Sequence, residues 1–152
     1  MPEKQTLDRA RRDRREGKAP STQAGEFIRE QIDHIRAGKH GARSTKQAIA
    51  IGLSQARRAG VELPPPAKGK TSERTRKNAA RAYALGHGAP ARQAATPKRA
   101  RASKAALKRE GSSAASHEAL ATQARSAARA RTARERSAAA RKGARTREMR
   151  TH

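Results

Sequence analysis

The large apolar residues of this chain are concentrated in one short part of it, and all five isoleucines lie between Ile28 and Ile51. At about 100° per residue, the first part of this stretch has an apolar face opposite a charged face, which predicts an amphipathic helix. We expect Ser21 or Thr22 to cap the start of this helix and Gly38 to end it in a left-handed conformation. The apolar face contains Ala24, Phe27, Ile28, Gln31, Ile32 and Ile35, and the charged face contains Glu26, Arg29, Glu30, Asp33 and Arg36.

A second helix is predicted from Ser44 to Gly60. Gln47 follows Ser44 by three residues, which is the spacing of a capping box. Val61 follows Gly60 directly and can pack back on the helix end, while the three consecutive prolines from residue 64 prevent the helix from continuing. One face of this helix carries Ile49, Gly52, Leu53 and Ala56.

Residues 21–63 are therefore predicted to form a small antiparallel αα-hairpin, in which the isoleucines face each other and Gly52 lets the helices approach closely. So few large side chains offset little of the ordering entropy, and the isolated hairpin is expected to need help from another segment. Ile51 lies about 200° from the Ile49–Leu53 stripe, on the polar side. It is either an exposed apolar residue or a contact for a second hairpin, a later helix or nucleic acid.

The segments on either side of the hairpin lack this apolar pattern. Residues 1–20 are predicted to be a disordered basic-acidic tail. Residues 64–152 contain no Ile, Val, Phe or Trp, and we expect a basic Ala/Arg-rich arm that is largely disordered or conditionally helical. Its transient helices are predicted at about 72–85, 97–110 and 116–148, with start signals at Thr71 or Ser72 and at Thr96 before Pro97. The predicted fold class is all-α.

Charge adds a function to this picture, because most of the net charge of +24 lies in the arm, where 23 cations face five acids. Cations that neutralise phosphates release condensed counterions from nucleic acid, which predicts tight binding with little sequence selectivity. The prevalence of arginine favours forked phosphate contacts and narrow minor grooves, and the lack of aromatic stacking platforms favours duplex DNA or structured RNA. The predicted arm contacts are Arg74, Arg76, Lys77, Arg81, Lys98, Arg99, Arg101, Lys104, Lys108, Arg109, Arg125, Arg129, Arg131, Arg134, Arg136, Arg141, Lys142, Arg145, Arg147 and Arg150.

The hairpin is predicted to add a fixed anchor for a phosphate. Its cations gather around the start of the second helix, where free backbone amides and the helix dipole already favour an anion. The predicted contacts are Lys39, His40, Arg43, Lys46, Arg57 and Arg58. A bolder alternative makes the hairpin a helix-turn-helix that presents Gln47, Ile51, Ser54 and Arg58 to the major groove, although its six-residue connection is longer than the usual turn.

Several kinds of chemistry lack the residues they need. The chain has no cysteine, which excludes disulfides, zinc-thiolate sites and thiol catalysis. Gly69, Lys70 and Thr71 resemble the end of a P-loop, but Pro64 stands where that motif needs glycine. The five histidines, which include His152, show no metal-ligand spacing with carboxylates. We therefore expect no enzyme activity, no catalytic residue, no metal, no cofactor and no small-molecule substrate.

The chain also lacks the apolar segments that membrane insertion or secretion requires. The longest apolar run, counting glycine, extends from Ala48 to Leu53, far short of the roughly twenty residues of a membrane span. The first eighteen residues are charged throughout and contain no apolar signal-peptide core. The sequence therefore predicts a cytoplasmic protein that does not enter a membrane.

The stretch ARSTKQAIAIGLSQARRAG, residues 42–60, resembles the signature of a family of small basic bacterial proteins classed as a domain of unknown function, and the similarity extends over residues 25–61. This resemblance implies a bacterial cytoplasmic protein and supplies no activity or site residues. The arm is also similar in composition to the histone H1-like tails of bacterial nucleoid proteins, although it uses arginine where those tails prefer lysine.

Together these features predict a non-enzymatic, largely sequence-nonspecific nucleic-acid-binding protein of the nucleoid-associated, histone-like kind, with DNA favoured over RNA. The arm supplies the phosphate contacts, and the hairpin positions the protein or joins two copies into a homo-oligomer. Two alternatives stay open: an RNA- or ribosome-associated accessory protein, and an interaction module whose hairpin and Ile51 bind an acidic protein.

Overall fold

The computed structural model describes residues 1–91 and 96–151, and all regular structure within those ranges is helical. The all-α prediction is therefore confirmed. The chain divides into two compact units, Met1–Ala115 and Ser116–His152. The elements are α1 (Lys4–Arg15), α2 (Pro20–Arg36), α3 (Thr45–Arg58), α4 (Glu73–Gly86), α5 (Pro97–Arg109), a short 3₁₀ turn (Ser113–Ala115), α6 (His117–Arg129) and α7 (Ala133–Arg150).

The predicted hairpin is present as α2 packed against α3. Phe27 and Ile35 are fully buried on α2 and Ala56 is fully buried on α3, as their stripes predict. Ile49 and Leu53 of the α3 stripe are only half-buried, whereas Ala48, outside that stripe, is fully buried. Gly52 lies against α2 so closely that a Cβ atom there would be 2.7 Å from Ile28 Cα. Small residues on α3 thus let the two helices approach closely, while Ile28, Ile49 and Leu53 at the edges of the contact stay half-buried.

The ends of these helices are set by local sequence. Gln47 N–H donates to Ser44 Oγ (3.2 Å), as in a capping box, but Gln47 Oε1 accepts from the amide of Arg43 (2.7 Å), one residue before the cap. Gly60 has φ +87°, and Val61 N–H donates to Ala56 O (3.1 Å) in the predicted Schellman closure. The predicted cap of α2 at Ser21 or Thr22 was wrong. The helix begins at Pro20, whose fixed φ suits the first helical position.

The N-terminal segment, which was predicted to be a disordered basic-acidic tail, instead forms α1 and packs against α2. Ala10 joins Phe27, Ala24, Ala56 and Val61 in one buried cluster, with Leu7 packed beside it. Glu30, expected on the charged face of α2, is only 4% exposed because its carboxylate accepts the backbone N–H of Glu3 (3.2 Å to each oxygen) at the start of α1. A carboxylate placed there satisfies a free amide and complements the helix dipole.

The first part of the arm is built into the same unit, which differs from the expected disordered segment. Helix α4 packs against α3 and buries Ala79 and Ala82. Residues 107–115 close over the hairpin loop: Gly41 N–H donates to Leu107 O (2.8 Å), and Ala42 N–H donates to Gly111 O (3.1 Å). Alanine and backbone groups make these contacts, so the arm needs no large apolar residue in order to dock on a surface that the hairpin provides.

Two side chains of the hairpin fasten the 3₁₀ turn at residues 113–115. Thr45 Oγ1 donates to Ala114 O (2.6 Å), and Arg36 Nε donates to Ala115 O (2.9 Å). Ala114 and Ala115 are themselves buried. These contacts supply the help that the thin core of the hairpin was expected to require.

The second unit contains α6 and α7, where a single helix over 116–148 was predicted. Ser116 caps α6, and Thr132 caps α7 in a full capping box with Glu135. A new cap inside an alanine-arginine tract divides it, because the Thr132 side chain competes with continued helix for the backbone amides. Neither helix buries a residue.

Candidate nucleic-acid interface

Helix α5 carries only positively charged side chains among its ionisable residues. It begins at Thr96, whose Oγ1 accepts from the amide of Arg99 (3.4 Å), with Pro97 in the first turn as predicted. It carries six cations and no acid, and none of its residues is buried. Among the described residues, none of these cations forms an ion pair. Residues 107–115, which include the last turn of α5, dock on the hairpin loop. This contact fixes the C-terminal end of α5, so the helix presents its positive charge to solvent in a fixed position.

Helix α4 adds a smaller group of cations on its outer side. Arg74, Lys77 and Arg81 are exposed. Arg76 instead pairs with Glu73 through two bonds of 2.6 and 3.0 Å, and this pairing lowers the pKa of Glu73 and raises the pKa of Arg76. Three of the four predicted contacts on α4 are therefore available to a ligand without breaking an existing ion pair.

All the predicted contacts of the second unit are exposed. Arg136 Nη1 donates to the carbonyl of Arg131 (2.6 Å), which precedes α7, so this side chain is directed back towards the N-terminal end of the helix. The exposed set is Arg125, Arg129, Arg131, Arg134, Arg136, Arg141, Lys142, Arg145, Arg147 and Arg150.

The cations of the hairpin loop meet carboxylates from distant parts of the chain. Lys39 Nζ lies 3.0 Å from Glu3 Oε1, and His34 Nε2 lies 2.9 Å from the same oxygen. The hydrogen bond from His34, followed by that from Lys39, holds the pKa of Glu3 below its usual value. Arg43 Nε lies 3.7 Å from Glu110 Oε1. The anchor predicted around α3 is thus partly neutralised by tertiary contacts.

The remaining hairpin candidates have different environments. Lys46 and Arg58 are exposed, and His40 is half-buried with Nδ1 3.0 Å from Gly41 O. Arg57 is only 8% exposed, and its Nε donates to Leu63 O (2.9 Å). Burial lowers the pKa of Arg57. We correct the placement of Arg57 on the interface, because its guanidinium serves the chain turn after α3.

The helix-turn-helix alternative finds little free surface on α3. The side-chain carbonyl of Gln47 already accepts from the amide of Arg43. Ile51 and Ser54 are half-buried, and only Arg58 is exposed. Ile51 lies on α3, and α4 packs against α3. A second hairpin, a later helix and nucleic acid were the three partners considered for Ile51, and of these the fold places the later helix beside α3.

A cluster that the sequence did not reveal joins the end of α3 to α4. Tyr83 Oη donates to Glu62 Oε2 (2.7 Å), and the rings of Tyr83 and His87 stack with centroids 3.9 Å apart. His87 Nε2 lies 2.9 Å from Glu62 Oε1, and its Nδ1 lies 2.8 Å from the Tyr83 carbonyl. Both ring nitrogens face acceptors, so the geometry fits the doubly protonated imidazolium.

The charges around this cluster favour that protonated form. The Tyr83 carbonyl, followed by the Glu62 carboxylate, raises the pKa of His87, while nearby Arg14 opposes the shift. The hydrogen bonds from Tyr83 and then His87 lower the pKa of Glu62. The i,i+4 spacing of Tyr83 and His87 was the only available signal, and Glu62 reaches them through the fold.

An apolar groove lies between α1, α2 and the end of α3. Its floor includes Ala10, Phe27 and Val61, and its rim carries Arg11 and Arg14. None of the described residues that line it is acidic. The sequence did not indicate this groove because one of its walls is α1.

Neither a cluster of metal-ligating side chains nor a membrane-spanning helix occurs within residues 1–91 and 96–151. No group of three or more His, Cys, Asp or Glu residues in those ranges could hold a metal ion, and His152 lies outside them. No helix in the same ranges combines the length and apolar character that crossing a bilayer requires.

The recognisable part of the chain is its N-terminal part. No curated protein and no solved structure matches the chain. Residues 3–68 match the model of a family described as "Family of unknown function (DUF6496)", which confirms the predicted resemblance to a domain of unknown function. This match covers α1, α2, α3 and the proline linker, ends before α4, and includes the stretch at residues 25–61 that resembles the family signature.

Proposed function

We propose that this protein is a non-enzymatic, largely sequence-independent nucleic-acid-binding protein, with duplex DNA as its main ligand and a nucleoid-associated, histone-like role. The observation that carries the proposal is α5, a helix with no buried residue, six exposed cations and no acid, held at its C-terminal end by the hairpin. A helix without a buried face gains nothing from packing, so its composition points to a ligand that supplies negative charge.

The charge of α5 is concentrated on one side. At about 100° per residue, Arg101, Lys104 and Lys108 fall within an arc of about 60°, and Lys98 and Arg109 extend that arc on one side. This arrangement suits a helix that lies along a phosphate backbone, where all these cations reach anions at once.

The helices of the second unit are proposed to depend on the ligand for much of their stability. Helix α7 carries seven cations against two acids and buries nothing. Arg141 and Arg145, four residues apart, repel each other on one face, which disfavours the helix in the free protein. Phosphates relieve this repulsion, so we expect the helical circular dichroism signal to rise when duplex DNA is added at low salt.

The proposal is tested by neutralising the side of α5. The full-length variant Arg101→Gln/Lys104→Gln/Lys108→Gln keeps good helix formers and removes three cations. Its binding to a labelled DNA duplex, followed by fluorescence anisotropy at several salt concentrations, should show a log–log salt slope about 2.7 shallower than that of the unchanged protein.

A matched control separates contact from net charge. The variant Lys4→Gln/Arg12→Gln/Arg15→Gln removes three exposed cations from α1, where acids are interspersed. Its slope should change by less than about 1, because screened charges away from the interface release few counterions. Equal slopes for the two variants would mean that α5 makes no special contact with DNA.

The apolar groove favours a second candidate, in which the hairpin region binds an acidic protein segment that places an apolar side chain in the groove between Arg11 and Arg14. Deletion of residues 64–152 cannot separate the two candidates, because it removes the arm cations and also removes α4, which packs against α3 of the hairpin. A pull-down of the full chain from lysate, with and without nuclease, separates the candidates. Nuclease-sensitive chromosomal DNA supports the first proposal, ribosomal RNA supports a ribosome-associated role, and nuclease-resistant capture that Arg11→Glu/Arg14→Glu abolishes supports the second.

A further inference from the structure

We infer that α7 binds in the major groove of B-form duplex DNA, with arginines contacting the phosphates of both groove walls. This inference rests on the proposed function and adds to it the form of nucleic acid and the groove. It is carried by the distribution of charge around α7, which differs from that of α5.

Six of the seven cations of α7 form two stripes on opposite sides of the helix, and Lys142 lies between the stripes. At about 100° per residue, Arg134, Arg141 and Arg145 lie within about 40° of one another. The second stripe is centred about 170° away from the first. It consists of Arg136, Arg147 and Arg150, and all six arginines are exposed. A flat anionic surface reaches only one of these stripes, whereas the two walls of a groove reach both.

The face midway between the stripes is made of small residues. Ser137, Ala140 and Ala144 lie about 90° from each stripe on that side. An α-helix with its side chains is about 10–12 Å across, and the major groove of B-DNA is about 12 Å wide and 8.5 Å deep. A small-residue face can therefore approach the groove floor while the flanking arginines point towards the walls.

The two acids of α7 occupy different positions in this arrangement. Glu135 lies on the face that would point out of the groove, and its carboxylate accepts the Thr132 amide (2.8 Å). Glu148 lies about 40° from the small-residue face, at the last turn, where it would meet the phosphates of one wall. Groove binding thus predicts that the two carboxylates affect affinity unequally.

The same geometry selects the form of the duplex. The major groove of A-form RNA is deep and too narrow for side chains to read, so a helix cannot enter it. Binding by α7 should therefore distinguish B-form DNA from A-form RNA of the same sequence, which charge alone does not do.

The experiment measures the affinity of the full-length protein for three labelled duplexes by fluorescence anisotropy at one salt concentration. They are an unmodified DNA duplex, the same duplex with uncharged glucosyl groups on the 5-position of its cytosines, and an RNA duplex of the same sequence. The glucosyl groups fill the major groove and leave the phosphate charge unchanged. We expect binding to the filled and RNA duplexes to be weaker by about tenfold or more, since contacts from both stripes are lost.

Variants assign this effect to α7. Arg134→Gln/Arg141→Gln/Arg145→Gln should weaken binding to the unmodified duplex and largely remove the difference between the unmodified and filled duplexes. Glu148→Gln should tighten binding about twofold to fivefold, whereas Glu135→Gln, which keeps the capping box, should change it less than twofold.

Equal affinity for the unmodified and filled duplexes would overturn the inference while leaving the proposed function intact. Displacement by a minor-groove ligand would also overturn it and would assign the arginines to the minor groove. Failure to bind any of the three duplexes would overturn the proposed function as well. Equal effects of Glu135→Gln and Glu148→Gln would mean that α7 responds to net charge and has no fixed orientation.

Discussion

The hydroxyl of Thr45 gives the sharpest test of how the arm is attached to the hairpin. It donates to Ala114 O at 2.6 Å in a buried setting, across 69 positions of sequence. Thr45→Val keeps the shape and the β-branch of the side chain but removes the donor, so the buried Ala114 carbonyl loses its partner. Such an orphaned acceptor costs about 1–3 kcal/mol. Because both residues are β-branched, helix propensity contributes little to the difference.

The free energy of unfolding is measured by urea denaturation of the full chain, and Thr45→Val should lower it by about 1–3 kcal/mol. Thr45→Ser keeps the hydroxyl and should lose less than about 1 kcal/mol, from one methyl group. Thr122→Val, on the exposed surface of α6, is the matched control and should stay within about 0.5 kcal/mol of the unchanged protein. A loss for Thr45→Val no larger than the loss for Thr45→Ser would mean that the hydroxyl contributes no more than the packing of one methyl group, and it would refute the role of the hydrogen bond.

Two further predictions test the packing and titration of the first unit. Gly52→Ala should lower the free energy of unfolding by about 1–2 kcal/mol in urea denaturation, because its Cβ would strike the Ile28 backbone. Gly143→Ala on α7, whose Cβ would meet only the Arg147 side chain at 3.8 Å, should raise helical circular dichroism. Since the pKa of His87 is raised, its stabilisation is fully present below about pH 6.5 and is lost as pH rises through the raised pKa. The melting temperature measured by calorimetry should therefore fall as pH rises from about 6.5 through the raised pKa in the unchanged protein and fall less in His87→Gln, and identical pH profiles would contradict the cluster at Glu62.

Much of the helical framework follows from local sequence. The cap at Ser44, the closure at Gly60 and the start of α5 at Thr96 depend on residues within a few positions of each other, so the sequence predicts them. The hairpin follows from apolar periodicity, which is also a local signal.

The parts that sequence reasoning missed depend on small or polar contacts between distant segments. Helix α1 packs through a stripe of Thr6, Ala10 and Asp13, which does not look apolar, and Asp13 is buried because Lys18 Nζ lies 2.7 Å from it. Residues 107–115 dock through backbone carbonyls and alanines, for which no side-chain pattern exists. Counting large apolar residues therefore underestimated how much of the chain could pack.

The candidate interface likewise has one part that local sequence predicts and another part that depends on contacts between distant segments. The exposure of the predicted arm contacts follows from their number and from the scarcity of acids near them, and the structure leaves all of these predicted contacts exposed except Arg76, which is half-buried. The environment of the hairpin cations depends on Glu3 and Glu110, which the fold brings to Lys39 and Arg43. The burial of Arg57 likewise depends on the turn that returns Leu63 to α3.

The salt dependence of DNA binding by the full-length protein tests the proposed function most directly. A labelled DNA duplex of fixed length is titrated with protein at several salt concentrations, and the logarithm of affinity is plotted against the logarithm of salt concentration. If about ten cations engage phosphates, the slope is predicted to be near −9. A slope shallower than about −3 would contradict binding through many phosphate contacts and would leave the exposed cations of α5 and α7 without the role proposed for them.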